Sequence, residues 1–406
     1  MKATGVVVEY NPFHNGHLHH VMEARKQTHA DVIIAVMSGN FLQRGEPAFV
    51  DKWTRAKMAL ENQVDIVFEL PYAFATAHAP EFARGAITIL DAAQCDAYCF
   101  GSEDGNIEPF ERALDLIQQA GQDYEQTVKD TVQQGVSYPR ALNEAYRKTV
   151  RAFAPDEPIV DLTKPNNILG FQYMEAARKL GSSMNAVTIP RIVAGYYDDA
   201  IEGNPIASAT GIRKSFFEME ALDAVSGFIP EPTRNGLSEW QTNHQAFGAW
   251  SSFYPLLRVI ILREGPERLS QIADITEGIE NLLYRAAVAH GEFEPFMNEV
   301  KSKRYTWTRI QRMLTHIFTG FTYGRRKEIQ TPTYLRLLGM TQEGQLYLNR
   351  HKKKMKLPIV SKVASFSDPS LALDCKASDM YALGIGGGTD HSELGMDFKR
   401  HPIIIQ

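Results

Sequence analysis

Three cysteines in 406 residues are too few for a disulfide framework, so the chain reads as reduced and cytoplasmic. No apolar run approaches the roughly 20 residues that a membrane-spanning helix needs, and no membrane partner is expected. The start, MKATGVVVEYNPF, lacks an apolar signal core followed by a small-residue cleavage site. Internal repeats, low-complexity tracts and coiled-coil heptads are missing as well. Positive charge is also in deficit: the net charge is -5, which by itself argues against a nucleic-acid partner.

The average hides an asymmetry. Between Lys301 and Lys356 lie fourteen Lys or Arg and only two acids, Glu328 and Glu343. That window carries +12 and the rest of the chain -17. Aromatics interleave with its bases. A solvated basic face is the plain reading, and a surface that meets a polyanion is the functional one. The aromatics favour nucleic acid. Otherwise the composition, 44% hydrophobic and 22% charged, is that of a globular protein with a real core, and the length suits two or three domains.

Short Val- and Ile-rich runs followed by turn residues read as buried parallel strands. They are Gly5–Val8, Val32–Met37, Ile66–Leu70, Ala97–Phe100 and Ala186–Ile189. Helical patterns fall between them at His17–Thr28, Lys52–Asn62, Pro80–Ala93 and Ile168–Leu180. This alternation predicts an α/β doubly wound sheet. A helical insertion is expected at about 108–153. From about Phe217 the pattern reads as helical throughout. The expected domains are 1–217 and a mainly helical 218–406. In such sheets ligands sit at the carboxyl ends of the strands. The polar segments Asn11–His17, Ser38–Gly45, Gly101–Glu103 and Pro190–Arg191 all fall there.

The stretch EYNPFHNGHLHH, Glu9 to His20, poses the sharpest question. His14 and His17 are three apart, but Asn15-Gly16 between them weakens a helix, and zinc needs further ligands. A metal site is therefore not favoured, and neither is plain core packing of two histidines around a glycine. Phosphate fits better. A strand-to-helix turn aims free N–H groups and a positive dipole end at the strand's carboxyl end. Gly16 admits close approach, and two imidazoles could stabilise charge developing on an attacked phosphate. Further on, Ile206-Ala-Ser-Ala-Thr-Gly-Ile-Arg-Lys214 reads as a second helix start. Ser208 and Thr210 would act as donors there, with Arg213 and Lys214 supplying charge.

His14-Asn-Gly-His17 resembles the signature of the HIGH-motif nucleotidyltransferases, and Ser208-Ala-Thr-Gly-Ile-Arg213 resembles their second, triphosphate-holding motif. One departure is visible. Many small relatives carry Ser-Ser or Ser-Thr where this chain has Ser208-Ala209-Thr210, which puts the donor geometry there in doubt. A wider set is similar to the bacterial tRNA(Met) cytidine acetate ligases: Tyr10-Asn-Pro-Phe-His-Asn-Gly-His17, Ser38-Gly-Asn-Phe-Leu-Gln-Arg-Gly45, Asp51-Lys52, Glu69-Leu-Pro71, Phe100-Gly-Ser-Glu103, Pro165-Asn-Asn-Ile-Leu-Gly170 and Lys303-Arg-Tyr305.

The resemblance implies a Rossmann-like nucleotidyltransferase domain and a two-step reaction. ATP, with Mg²⁺, and acetate give acetyl-adenylate; the acetyl group then passes to N4 of the wobble cytidine of elongator tRNA(Met). Acetyl-CoA is not implied, and no cysteine nucleophile is required. Cys95, Cys99 and Cys375 read as core residues, and no metal site is expected. His14 and His17 become the catalytic donors. The implied ATP site runs Val7, Val8, Glu9, Tyr10, Asn11, Pro12, Phe13, His14, Asn15, Gly16, His17, Leu18, His19 and His20. It adds Gly101, Asn166 (with Asn167 as the alternative), Arg191, Ser208, Thr210 and Arg213.

Asn40, Gln43 and Arg44 form a candidate substrate loop. Asp51, Lys52 and Arg55 either reach the site or are charges at a helix start. Lys303, Arg304, Arg309, Arg312, Arg325, Arg326 and Lys327 are the candidate tRNA contacts, extended by Lys352–Lys354. Tyr305 or Trp307 either stacks on a base or belongs to the core. Two other readings compete. A small-metabolite adenylyltransferase shares the two motifs but leaves the basic window unexplained. A non-catalytic RNA-binding protein would leave the motifs unexplained.

Overall fold

The structure, a computed structural model, describes residues 1–136, 138–155, 158–191, 206–219, 221–244, 246–302, 304–389 and 392–406. Five parallel strands form the body: β1 (Ala3–Val8), β2 (Val32–Ser38), β3 (Ile66–Leu70), β4 (Ala97–Ser102) and β5 (Asn185–Pro190). β2 and β3 are buried along their whole length, as fully covered parallel strands must be. Their order in the sheet is β5-β4-β1-β2-β3. The chain runs outward from β1 in one direction, then returns to β1's other side for β4. β1 is therefore the switch point, where doubly wound sheets open a crevice.

Local chemistry sets the helices that frame that crevice. Helix Asn15–Thr28 ends with Arg25 and Lys26 in its last turn, favourable for the dipole, and is stopped by His29 in the left-handed region. Helix Lys52–Glu61 is N-capped by Asp51, whose side chain accepts from Thr54 N at 2.7 Å. Three helices, Glu108–Ala120, Gln122–Gln133 and Tyr138–Phe153, intervene between β4 and helix Pro165–Leu180.

The expectation of helix throughout the C-terminal half needs correction. That half is mainly helical, yet it adds β6 (Leu335–Thr341), β7 (Ile359–Val360) and β8 (Ile403–Ile405) to the same sheet. β6 runs antiparallel beside β3, with Ile66 opposite Met340 and Glu69 opposite Arg336. A short apolar run such as Leu335-Arg-Leu-Leu-Gly-Met is the length at which periodicity cannot separate strand from helix. The pairing partner, almost three hundred residues away, decides it.

Beside this junction lies a buried charge cluster. Lys52 Nζ is 2.8 Å from Glu69 and 2.9 Å from Asp397, and Arg336 is 3.5 Å from Asp397. All four are buried. Such a cluster persists only because each charge is paired. Among the described residues, no helix is long and apolar enough to cross a membrane.

Candidate active site

A cavity of about 630 Å³ opens at the carboxyl ends of β1, β4 and β5. Val7, Val8 and Glu9 form its floor, and His14, Gly16, His17, His19 and His20 form the wall of the first crossover. The turn before that helix is tightly built. Tyr10 adopts a left-handed φ of 50° and the Asn11–Pro12 peptide is cis. Tyr10 and Phe13 are buried beneath the turn. Asn11 Oδ1 accepts from Phe49 N at 2.6 Å, and its carbonyl accepts from Arg213 Nη1 at 2.8 Å.

The two imidazoles stack, with centroids 3.7 Å apart and planes 21° from parallel. His14 N donates to His17 Nδ1 at 3.3 Å. That bond requires a lone pair on Nδ1, so the proton of neutral His17 sits on Nε2. His14 Nδ1 and His20 Nε2 are buried with no protein partner. Burial, followed by the charges of Arg191 and Arg213, pushes His14 down to about 3. Burial, then His19 and Arg191, pushes His20 down to about 4, and His17 is also well below its ordinary value. The cluster is thus neutral near pH 7, a set of uncharged N–H groups ready for an anion. A Cβ on Gly16 would lie 3.0 Å from the His14 ring, a tight contact that would press on the imidazole.

The opposite wall comes from β4, β5 and helix Pro165–Leu180: Gly101, Glu103, Asn166 and Arg191. Asn166 Nδ2 donates to Glu103 at 2.9 Å, and Arg191 donates to Asn166 Oδ1. Asn167 has a different task. It is buried, it accepts from Glu103 N at 3.0 Å, and its own N–H donates to Glu103 at 2.9 Å. Of the two asparagines, Asn166 is the one at the cavity. A Cβ at Gly101 would sit 3.0 Å from Arg191 Cγ, so this glycine lets the arginine lie over the strand end.

Ile206, Ala207 and Ser208 close a third side. Ser208 Oγ accepts from Gly211 N at 3.1 Å and so caps helix Ala209–Met219. Thr210 is exposed and does not line the cavity. Arg213 turns away, to Asn11 and to Glu46 at 3.1 Å. Asn11, Pro12, Asn15 and Leu18 likewise support the turn without lining the cavity.

The loop after β2 divides. Gln43 and Arg44 reach the cavity, and Gln43 N donates to Glu9 Oε1 at 2.8 Å. Asn40 instead accepts from Lys52 N at 2.7 Å and faces away. Asp51, Lys52 and Arg55 do not reach the cavity either. The buried Arg55 guanidinium donates to the carbonyls of Val50, Glu9, Ser38 and Gly39, tying the ends of β1 and β2 together. No sequence pattern marks that role. Glu103, in the Phe100–Glu103 motif, was detectable; Lys164, Tyr173, Phe82 and Leu169 line the cavity without a local signal.

The basic region is less free than its count. Arg304 pairs with Glu277 at 2.7 Å. Arg309 lies over Tyr305, 4.9 Å from its centroid. Arg312 and Arg326 both approach Asp274, at 3.9 and 2.5 Å. Arg336 is buried in β6. Arg325, Lys327 and Lys352–Lys354 are exposed. Tyr305 is buried and thus core, and Trp307 is half-buried against Phe293. Lys303 lies outside the described residues. All three cysteines are free and buried. No group of three His, Cys, Asp or Glu that could hold a metal occurs among the described residues.

A doubly wound sheet with a paired-histidine first crossover and a Ser-capped Ile-Arg helix at its mouth defines a HIGH-motif nucleotidyltransferase. The family described as HIGH Nucleotidyl Transferase matches residues 1–393. The chain is 50% identical over 403 residues to the tRNA(Met) cytidine acetate ligase of Lysinibacillus sphaericus, covering 99% of this chain and 100% of that one. It is 43% identical over 396 residues to that of Bacillus subtilis, covering 95% and 93%. The crystal structure of Thermotoga maritima TmcAL bound with alpha-thio ATP superposes with a TM-score of 0.90 at 32% identity, covering 100% and 99%. This chain belongs to the tRNA(Met) cytidine acetate ligase family.

Proposed function

We propose that the chain joins acetate to AMP in the β1 cavity and transfers the acetyl group to N4 of the wobble cytidine of elongator tRNA(Met). Acetate is a poor acyl donor because its leaving group is an oxide. Esterification to AMP supplies a good leaving group. The cytosine amine is weakly nucleophilic, its lone pair being drawn into the ring, so an activated acyl group held beside it is needed. The observation that carries this reading is the stacked, neutral His14–His17 pair beside Gly16 on the wall of a cavity of nucleotide size, with His14 Nδ1 buried and without a hydrogen-bond partner. Neutral N–H groups stabilise charge that grows on the α-phosphate as acetate attacks and pyrophosphate leaves.

Gly101, Asn166 and Arg191 would hold the nucleoside end, and the Ser208 helix start the outer phosphates. Glu103 is committed to Asn166 and Asn167, so the phosphates are the proposed carriers of Mg²⁺. Arg304, Arg309, Arg325 and Lys327, with Arg312 and Arg326 beside them and Lys303 as a further candidate from the sequence, would meet the tRNA backbone. Acetate-dependent exchange of pyrophosphate into ATP without RNA tests the first step. His14→Ala or His17→Ala is expected to slow it by roughly 10²–10³, the scale for one lost transition-state donor. Near-normal exchange in both refutes their assignment. Mass spectrometry of tRNA nucleosides after incubation with ATP and isotopically labelled acetate tests the second.

A further inference from the structure

We propose that Glu9 is the catalytic base of the acetyl-transfer step, accepting a hydrogen bond and then a proton from N4 of the target cytidine. This rests on the function proposed above. Glu9 is the last residue before the left-handed turn at Tyr10 and sits at the mouth of the central strand. Glu9 lines the cavity, and its carboxylate is held by the loop that follows β2, the neighbour of β1. One oxygen, Oε1, is held by Gln43 N at 2.8 Å. That bond also fixes the loop whose Gln43 and Arg44 face the cavity. The residue's own carbonyl is gripped by Arg55 Nη1 at 2.6 Å. The side chain is therefore positioned from both ends, and neither bond is made by the nucleotide-facing wall.

The groups facing Glu9 are Arg44 and Glu46 of the loop after β2, Arg213 of helix Ala209–Met219, Arg55 of helix Lys52–Glu61, and Tyr173 of helix Pro165–Leu180. None of the described cations makes an ion pair with it. Burial raises its carboxyl above the usual range, with the Gln43 bond opposing, which makes it a stronger base than an exposed glutamate. A carboxylate is also the side-chain group that pairs with a cytosine amine, and it repels the O4 of uracil in the same position.

The step balances without another reagent. The N4 lone pair attacks the acetyl carbon and an N–C bond forms. The bond from that carbon to the phosphate oxygen breaks, and AMP leaves with its electron pair. The proton released from N4 goes to Glu9 and from there to water.

The test is Glu9→Gln in the full chain, which keeps an oxygen for Gln43 N but cannot take the proton. Two rates are compared with the wild type: acetate-dependent ATP–pyrophosphate exchange, and single-turnover transfer from preformed acetyl-adenylate to tRNA(Met). General-base loss predicts a transfer rate lower by roughly 10²–10³, at least tenfold more than any loss of exchange. The wild-type transfer rate is expected to rise with pH to a plateau, and the variant's to be flat. Equal losses in the two rates, or transfer within threefold of wild type, overturn the proposal. A wild type that shows no acetate-dependent exchange refutes the parent reading instead.

Discussion

Gly45 is where the loop beside the cavity meets the C-terminal helices, and Gly45→Ala tests that joint. Its φ is +75°, and a Cβ there would lie 2.2 Å from Arg312 N and 2.4 Å from the Gln311 carbonyl carbon. Both are backbone atoms of helix Trp307–Thr319 and cannot rotate away. The left-handed backbone alone costs alanine about 1 kcal/mol. Forcing loop and helix apart adds about 1–3 kcal/mol of overpacking. The Gly45 carbonyl also accepts from Trp250 Nε1 at 2.9 Å and Thr315 Oγ1 at 3.0 Å. Thr315 has a second acceptor in Gln311, but the buried indole N–H has none described, and stranding it adds about 1–3 kcal/mol.

These effects overlap, so the expected loss is about 3–5 kcal/mol. Urea unfolding followed by tryptophan fluorescence reads it. Gly181→Ala is the control: its φ is +66°, nothing lies within 4 Å of its Cβ, and only the backbone cost, about 1 kcal/mol, is expected. If the two variants lose the same stability, the close packing of loop on helix is not what holds Gly45.

The remaining predictions concern pH and salt. His14 is held down to about 3 in the folded chain against 6.5 in a free histidine, so the unfolded state binds the extra proton first. Its contribution is complete above pH 6.5 and declines as pH falls toward 3. His14→Asn is expected to flatten the fall of the unfolding midpoint between pH 6.5 and 4, and an unchanged slope refutes this. Arg325→Ala and Lys327→Ala, both at exposed positions, are expected to weaken tRNA binding at low salt and to reduce the slope of log affinity against log salt by about one each. Unchanged slopes would place the RNA elsewhere.

Much of the α/β body was legible before any tertiary contact. All five parallel strands lie within two residues of their expected ends. Continuous Val and Ile runs bounded by turn residues are what a doubly covered sheet demands, and that demand is local. The HxGH turn was legible for the same reason: strand, glycine and helix start are consecutive. Residues 7–20, taken as one block, were legible only as a block. The fold splits them into a cavity wall (His14, Gly16, His17, His19, His20) and its buried support (Tyr10, Asn11, Phe13). The basic window was read from its charge and interleaved aromatics, and pairing with Asp274 and Glu277 shields part of it.

The amino-acid order by itself determined where strands and helices lie in the first half and which turn carries the paired imidazoles, because those outcomes depend on neighbours within a few residues. Tertiary structure alone decided that β6 completes the sheet, that Arg55 clasps two strand ends, that Lys52 is neutralised by Asp397, and that Glu9 faces the loop after β2. Each of these joins residues between 16 and 345 positions apart. Pairing over such distances is set by which surfaces meet when the core closes, and no local pattern records it.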